Sequence, residues 1–159
     1  MAAEHSPRLV WVPQGFASET LRHVSLTEAQ DGWTIDAVGF EVLTVQFSGR
    51  TSLTVYADGG ATCTVAFGGE FDFRDRSGRL HELDADAGSW APLQRLLELR
   101  HDLVQSLQVS HGGDVQIRFS SGAGVSARPD AAYESWEITG PGSLNLVCPP
   151  GGGDPRIRT

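Results

Sequence analysis

The chain has no lysine: all twelve of its basic residues are arginine. Twenty acidic residues oppose them and leave a formal net charge of −8. That deficit excludes the long-range attraction that draws proteins onto nucleic-acid phosphates or anionic membranes. Arg74, Arg76 and Arg79 come nearest to a basic patch, but Asp72 and Asp75 interleave with them, which reads as a solvated loop. Using arginine alone fits a GC-rich genome, and its planar fork suits pairing at an interface. Long apolar runs are missing too, and none approaches the roughly 18 residues of a membrane-spanning helix. Glu4 and His5 stand where a secretion signal would need a basic stretch before an apolar core, so a cytoplasmic location is expected.

Cysteine is scarce. Cys63 and Cys148 make no metal-ligand spacing, and both fall on apolar faces of expected strands. Buried free thiols are the expectation, with a disulfide between them left open by the sequence. No Gly-x-Ser-x-Gly elbow is present, and Ser121-Gly-Ala-Gly124 sits in an expected hairpin with no helix behind it. His81-Glu-Leu-Asp84-Ala-Asp86 gathers four potential ligands but lacks a rigid frame, and reads as an acidic loop leading into a helix. His101 and His111 are expected at a helix end and in a turn. No catalytic residue, metal or cofactor is assigned, and an enzyme is less expected than a binding protein.

What the chain does have is alternation. Trp33, Ile35 and Ala37 share one strand face, as do Leu43, Val45 and Phe47, then Leu53 and Val55. Asp58-Gly-Gly60 is a hairpin signal, after which Cys63, Val65 and Phe67 alternate again, followed by Phe71 and Phe73. The period then changes. Ser89 is a candidate N-cap, Pro92 suits a first turn, and Leu93, Leu96 and Leu97 form a helical stripe. One principal helix is predicted over roughly residues 90–100, with Trp90 packed beneath it. Leu103, Leu107 and Val109, then Val115, Ile117 and Phe119, then Val125 and Ala127 restore the alternation. Leu9–Val12 can add an edge strand before Pro13, and residues 14–31 are ambiguous.

The two halves resemble one another in their order of strands and glycine turns. The fold class is α+β, mostly β: two antiparallel meanders packed as a sandwich or open barrel with that one helix. The 159 residues make a single domain, with tails at 1–8 and 152–159.

Tyr133-Glu-Ser-Trp-Glu-Ile138, a Gly140-Pro-Gly142 turn and Leu144–Cys148 predict a closing hairpin. Glu134, Trp136 and Ile138 share a strand face, while Glu137 points the other way and makes no carboxylate dyad with Glu134. Two readings follow: Glu134 is ion-paired at the sheet rim, or Tyr133, Glu134 and Trp136 line a ligand pocket with Glu134 as its polar group. Arg128-Pro-Asp130, Tyr133–Glu137, Gly140–Gly142 and Leu146-Val-Cys-Pro-Pro-Gly-Gly152 resemble the C-terminal signature of an uncharacterised family of small proteins from high-GC Gram-positive bacteria. The resemblance implies location and fold but no catalytic residue. The leading expectation is an immunity- or inhibitor-like module that covers a basic protein. The alternative is a small-molecule binder or weak enzyme with its pocket near Trp136 and Glu134.

Overall fold

The computed structural model describes residues 24–47 and 50–158. In chain order the strands are β1 (Leu26–Ala29), β2 (Gly32–Ile35), β3 (Glu41–Gln46), β4 (Thr51–Tyr56), β5 (Thr62–Phe67), β6 (Glu70–Arg74) and β7 (Leu80–Asp84). A 3-10 helix, Leu93–Leu99, precedes β8 (Val104–Ser110), β9 (Val115–Phe119), β10 (Gly124–Ala127), β11 (Trp136–Thr139), β12 (Asn145–Val147) and β13 (Arg156–Ile157). They form two antiparallel sheets: seven strands in the order β1-β2-β8-β9-β10-β6-β7, and six in the order β13-β12-β11-β5-β4-β3. One hydrophobic core lies between them, centred on Trp136, Phe67, Phe73 and Phe119, and the sheets do not close into a barrel. Among the described residues no helix is long and apolar enough to cross a membrane.

The likeness of the two halves has a structural counterpart. Each meander is extended by strands that follow the other meander: β6 pairs with β10, and β11 pairs with β5. Where β3 and β8 begin, the backbone bonds are reciprocal. Val42 N–H donates to Asp102 O at 2.9 Å and Val104 N–H to Phe40 O at 2.8 Å. Gly39 N–H donates to Val104 O at 2.8 Å and His101 N–H to Val42 O at 3.0 Å.

Two details depart from simple alternation, for one reason. Register shifts fall between Val42 and Thr44 on β3 and between Val104 and Ser106 on β8. A bulge inserts one residue and reverses which face follows it. Val42 and Val104 are therefore buried, whereas Leu43 and Leu103, expected inside, are exposed.

The helix stands where the sequence predicts it, but its type and cap are corrections: it is a 3-10 helix with Pro92 at its N-cap and no side-chain cap, so Ser89 does not cap it. With three residues per turn, Leu93, Leu96 and Leu99 line up and are buried, while Leu97 is 46% exposed. Trp90, expected beneath the helix, is 62% exposed.

Residues 152–159, expected as a tail, carry β13, which pairs with β12. The expected tail at 1–8 and the edge strand at Leu9–Val12 lie outside the described residues.

Both cysteines are free and buried. Burial pushes the Cys63 thiol up to about 12 and raises Cys148 as well. A thiol so shielded and so rarely ionised is a poor nucleophile. An aqueous alkylating reagent should leave both unmodified in the native protein and label both on unfolding. Rapid native labelling of Cys148, followed by mass spectrometry, would show that its burial is incomplete.

Candidate functional site

The three residues singled out in the closing hairpin are placed apart. Trp136 is 1% exposed, and its indole N–H donates to Gly113 O at 2.8 Å. Gly113 adopts φ +94°, and a Cβ there would come within 3.3 Å of Pro129, Gly153 and Cys148, so only glycine fits under the indole. Glu134 lies outside β11 and pairs with Arg158 at 2.5 Å on the surface. Tyr133 is 43% exposed and lies over Gly69, where any side chain would collide with its hydroxyl. Tyr133 lines a groove of about 320 Å³ at one end of the seven-stranded sheet; neither Trp136 nor Glu134 lines it.

That groove is acidic. Glu70, Asp72, Glu82, Asp84 and Asp130 line it, with Arg128 as the one cation among the lining residues. Strand register explains the concentration. On the outer face Glu70 stands directly opposite Asp84, and Asp72 opposite Glu82. The hydrogen bonds at the two ends of the pair, Ala85 N–H to Gly69 O at 2.8 Å and Asp75 N–H to Arg79 O at 2.9 Å, fix the phase of the ladder. Counting inward from either end, both acid–acid pairs fall in non-hydrogen-bonded positions, where side chains approach most closely. Like charges directly opposite destabilise a sheet. Relief comes from Arg128, 3.9 Å from Asp72. Desolvation and the charges of Asp130, Asp86 and Asp84 push the Tyr133 phenol above its ordinary value.

The groove continues across the sheet. Two further hollows, about 540 and 360 Å³, adjoin it, and Ser126 lines all three. The shared row runs Thr34, Gln108, Gln116, Ser126, Asp72 and Glu82 through successive strand pairings. The outer face is therefore hydrogen-bonding along its length and negative at its β6–β7 end.

The stretch expected as an acidic loop, residues 81–86, is mostly strand β7, and alternation splits its members. Glu82 and Asp84 face the groove, whereas His81 turns away, stacks on Phe73 and bonds Asp75 at 2.8 Å. That bond, with donors from Ser77 and the Arg79 backbone, holds the Asp75 carboxyl well below the usual carboxylate range. Arg74 and Arg76 are tied locally, to Gly78 O and to the Glu98 backbone. His101 pairs with Glu41 at 2.5 Å, and His111 bridges Asp154 at 2.6 Å and Ala29 O at 3.3 Å. The Asp154 bond raises the His111 pKa and lowers that of Asp154. Among the described residues no group of three or more His, Cys, Asp or Glu side chains is arranged to hold a metal ion.

Fold and face together define a two-sheet antiparallel β protein with an open, polar, partly acidic outer groove. The chain belongs to a family of unknown function, DUF6188, which matches residues 32–154. No curated protein and no solved structure matches it significantly.

The acidic pairs were accessible to sequence reasoning. Glu70-x-Asp72 and Glu82-x-Asp84 flank the turn signal Asp75–Gly78, and each repeat places two acids on one strand face. Pairing the two strands across that turn would have set them opposite one another.

Proposed function

We propose that the chain is a non-enzymatic protein-binding module, immunity- or inhibitor-like, whose acidic outer groove covers a basic partner. The observation that carries this reading is the double acid–acid pairing of β6 with β7, Glu70 opposite Asp84 and Asp72 opposite Glu82. Such pairs cost stability in the free protein and are relieved by an incoming cation, which is how binding sites differ from inert surface. The cytoplasm of a GC-rich bacterium is the setting we favour, in keeping with arginine-only basic residues and two unpaired thiols. A small ligand in the same groove is the second reading, favoured by Tyr133 on its wall and a volume within the range of ligand pockets.

The test couples stability to binding. Glu82→Gln with Asp84→Asn should raise stability by about 0.5 kcal/mol, since like-charge repulsion is removed. The same variant should lose affinity for a flexible Gly-Arg repeat peptide by about tenfold at low salt, and wild-type affinity should fall as salt rises. Denaturant unfolding and fluorescence anisotropy measure the two effects. A variant that is no more stable and binds the peptide as well as wild type would refute the proposal.

A further inference from the structure

The groove is bordered by a sheet edge, and the edge and the acids belong to the same residues. Among the described residues, strand β7 ends the seven-stranded sheet and pairs only with β6. The phase set by the Ala85–Gly69 and Asp75–Arg79 bonds means that Leu83 and His81 direct their backbone groups toward β6. Leu80, Glu82 and Asp84 direct theirs away, along the free edge. The Asp84 carbonyl accepts a long bond from Ala87 N–H at 3.4 Å. The N–H and C=O of Glu82 have no strand beyond them among the described residues. The side chains of these same residues stand on the outer face, with Glu82 and Leu80 exposed.

We infer that the partner enters as an extended basic segment that adds to the β7 edge as an eighth strand, antiparallel to it. This deepens the proposed function and rests on it. A residue opposite Glu82 would exchange both main-chain hydrogen bonds with it, and its side chain would fall on the same face as the Glu82 carboxylate. The residue two places earlier would stand opposite Asp84, and the one two places later opposite Leu80. The segment recognised therefore reads basic-x-basic-x-apolar. Leu80, 50% exposed, supplies the apolar end.

The charge on the edge selects the occupant. A second copy of this chain pairing β7 to β7 would set carboxylates against carboxylates, the arrangement by which proteins block edge-to-edge association.

The decisive probe is the labelled peptide Thr-Arg-Thr-Arg-Thr-Val-Thr, tested on the full chain by fluorescence anisotropy. It should bind at least about tenfold more tightly than its Glu-for-Arg counterpart. N-methylation of the second arginine, whose N–H would face Glu82, should weaken binding about tenfold, while N-methylation of the threonine before it leaves affinity within about twofold. If both methylated peptides bind like the parent, the segment is held by charge alone: strand addition is overturned and the acidic-groove reading stands. If the parent peptide binds no better than its Glu counterpart, both fail. Sedimentation of the free protein should show a monomer. A dimer broken by a strand-blocking proline at Leu80 would assign the edge to self-association and overturn the inference.

Discussion

Trp136→Ala is expected to unfold at a much lower denaturant concentration than the wild type, with a loss of about 3–5 kcal/mol. The indole is fully buried where the two sheets meet, and β11 joins β5 to β12 on either side of it. Truncation removes the largest side chain of the core and leaves a cavity that flanking strands cannot close. It also strips the Gly113 carbonyl of its best donor, leaving the Cys148 thiol at 3.5 Å. Trp136→Phe keeps most of the apolar volume and should cost less, which separates packing from the hydrogen bond. Glu134→Gln provides the contrast. Its partner Arg158 is half exposed, so the pair contributes about 0–1 kcal/mol. Since a domain is held together by roughly 5–15 kcal/mol, the first change threatens the fold and the last does not. Parent-like stability of Trp136→Ala would remove the residue from the core.

Asp102→Ala should also be damaging, by about 1.5–3 kcal/mol, because it takes a charged acceptor away from several donors. The Asp102 side chain is 4% exposed, yet it is a carboxylate. Ser120 Oγ–H at 3.0 Å, Leu103 N–H at 2.9 Å, Ser121 N–H at 3.3 Å and the Ser121 hydroxyl all donate to it, and Arg76 lies 3.7 Å away. Burial pushes this carboxyl up, but donors from Ser121 and Ser120 and from the Leu103 and Ser121 backbones outweigh it and hold the pKa below the ordinary carboxylate range. The sign follows. A depressed folded pKa contributes stability that is complete above the unfolded value and is lost as pH falls through the folded one. Denaturant unfolding from neutral to acidic pH should therefore show the wild type losing part of its advantage over Asp102→Ala on acidification. A constant gap would mean that Asp102 stabilises by shape rather than by charge.

Strand positions were the most legible part of the sequence. Cys63, Val65 and Phe67, like Val115, Ile117 and Phe119, alternate in phase with the sheet, and all six are buried. Period two survives because one face of each strand is dry. Leu43 and Leu103 were misread because a bulge leaves no mark in a row of apolar residues: Val42, just before the first, and Val104, just after the second, are equally apolar and take the inward place. The helix was legible as a break in period but not as 3-10, since Leu93, Leu96, Leu97 and Leu99 satisfy a stripe of three residues per turn as well as one of 3.6. The candidate groove depends on which strands become neighbours. Glu70 faces Asp84 only because the turn after β6 returns the chain in that register, and Tyr133 joins them from a distant loop.

The trading of strands between the two halves bears on how the molecule is made. A ribosome delivers β1 to β5 before the remaining strands, but β5 cannot find its second neighbour until β11 has emerged. Likewise β6 and β7 wait for β10 before they join a sheet larger than their own hairpin. An early fragment therefore exposes two unfinished sheet borders, both apolar on one side. Pairings this distant in sequence are slow to close and open to aggregation while they wait. Completion of the six-stranded sheet waits for β11 and the strands after it, so nascent chains stalled before β11 should be the form in which this protein most needs a chaperone.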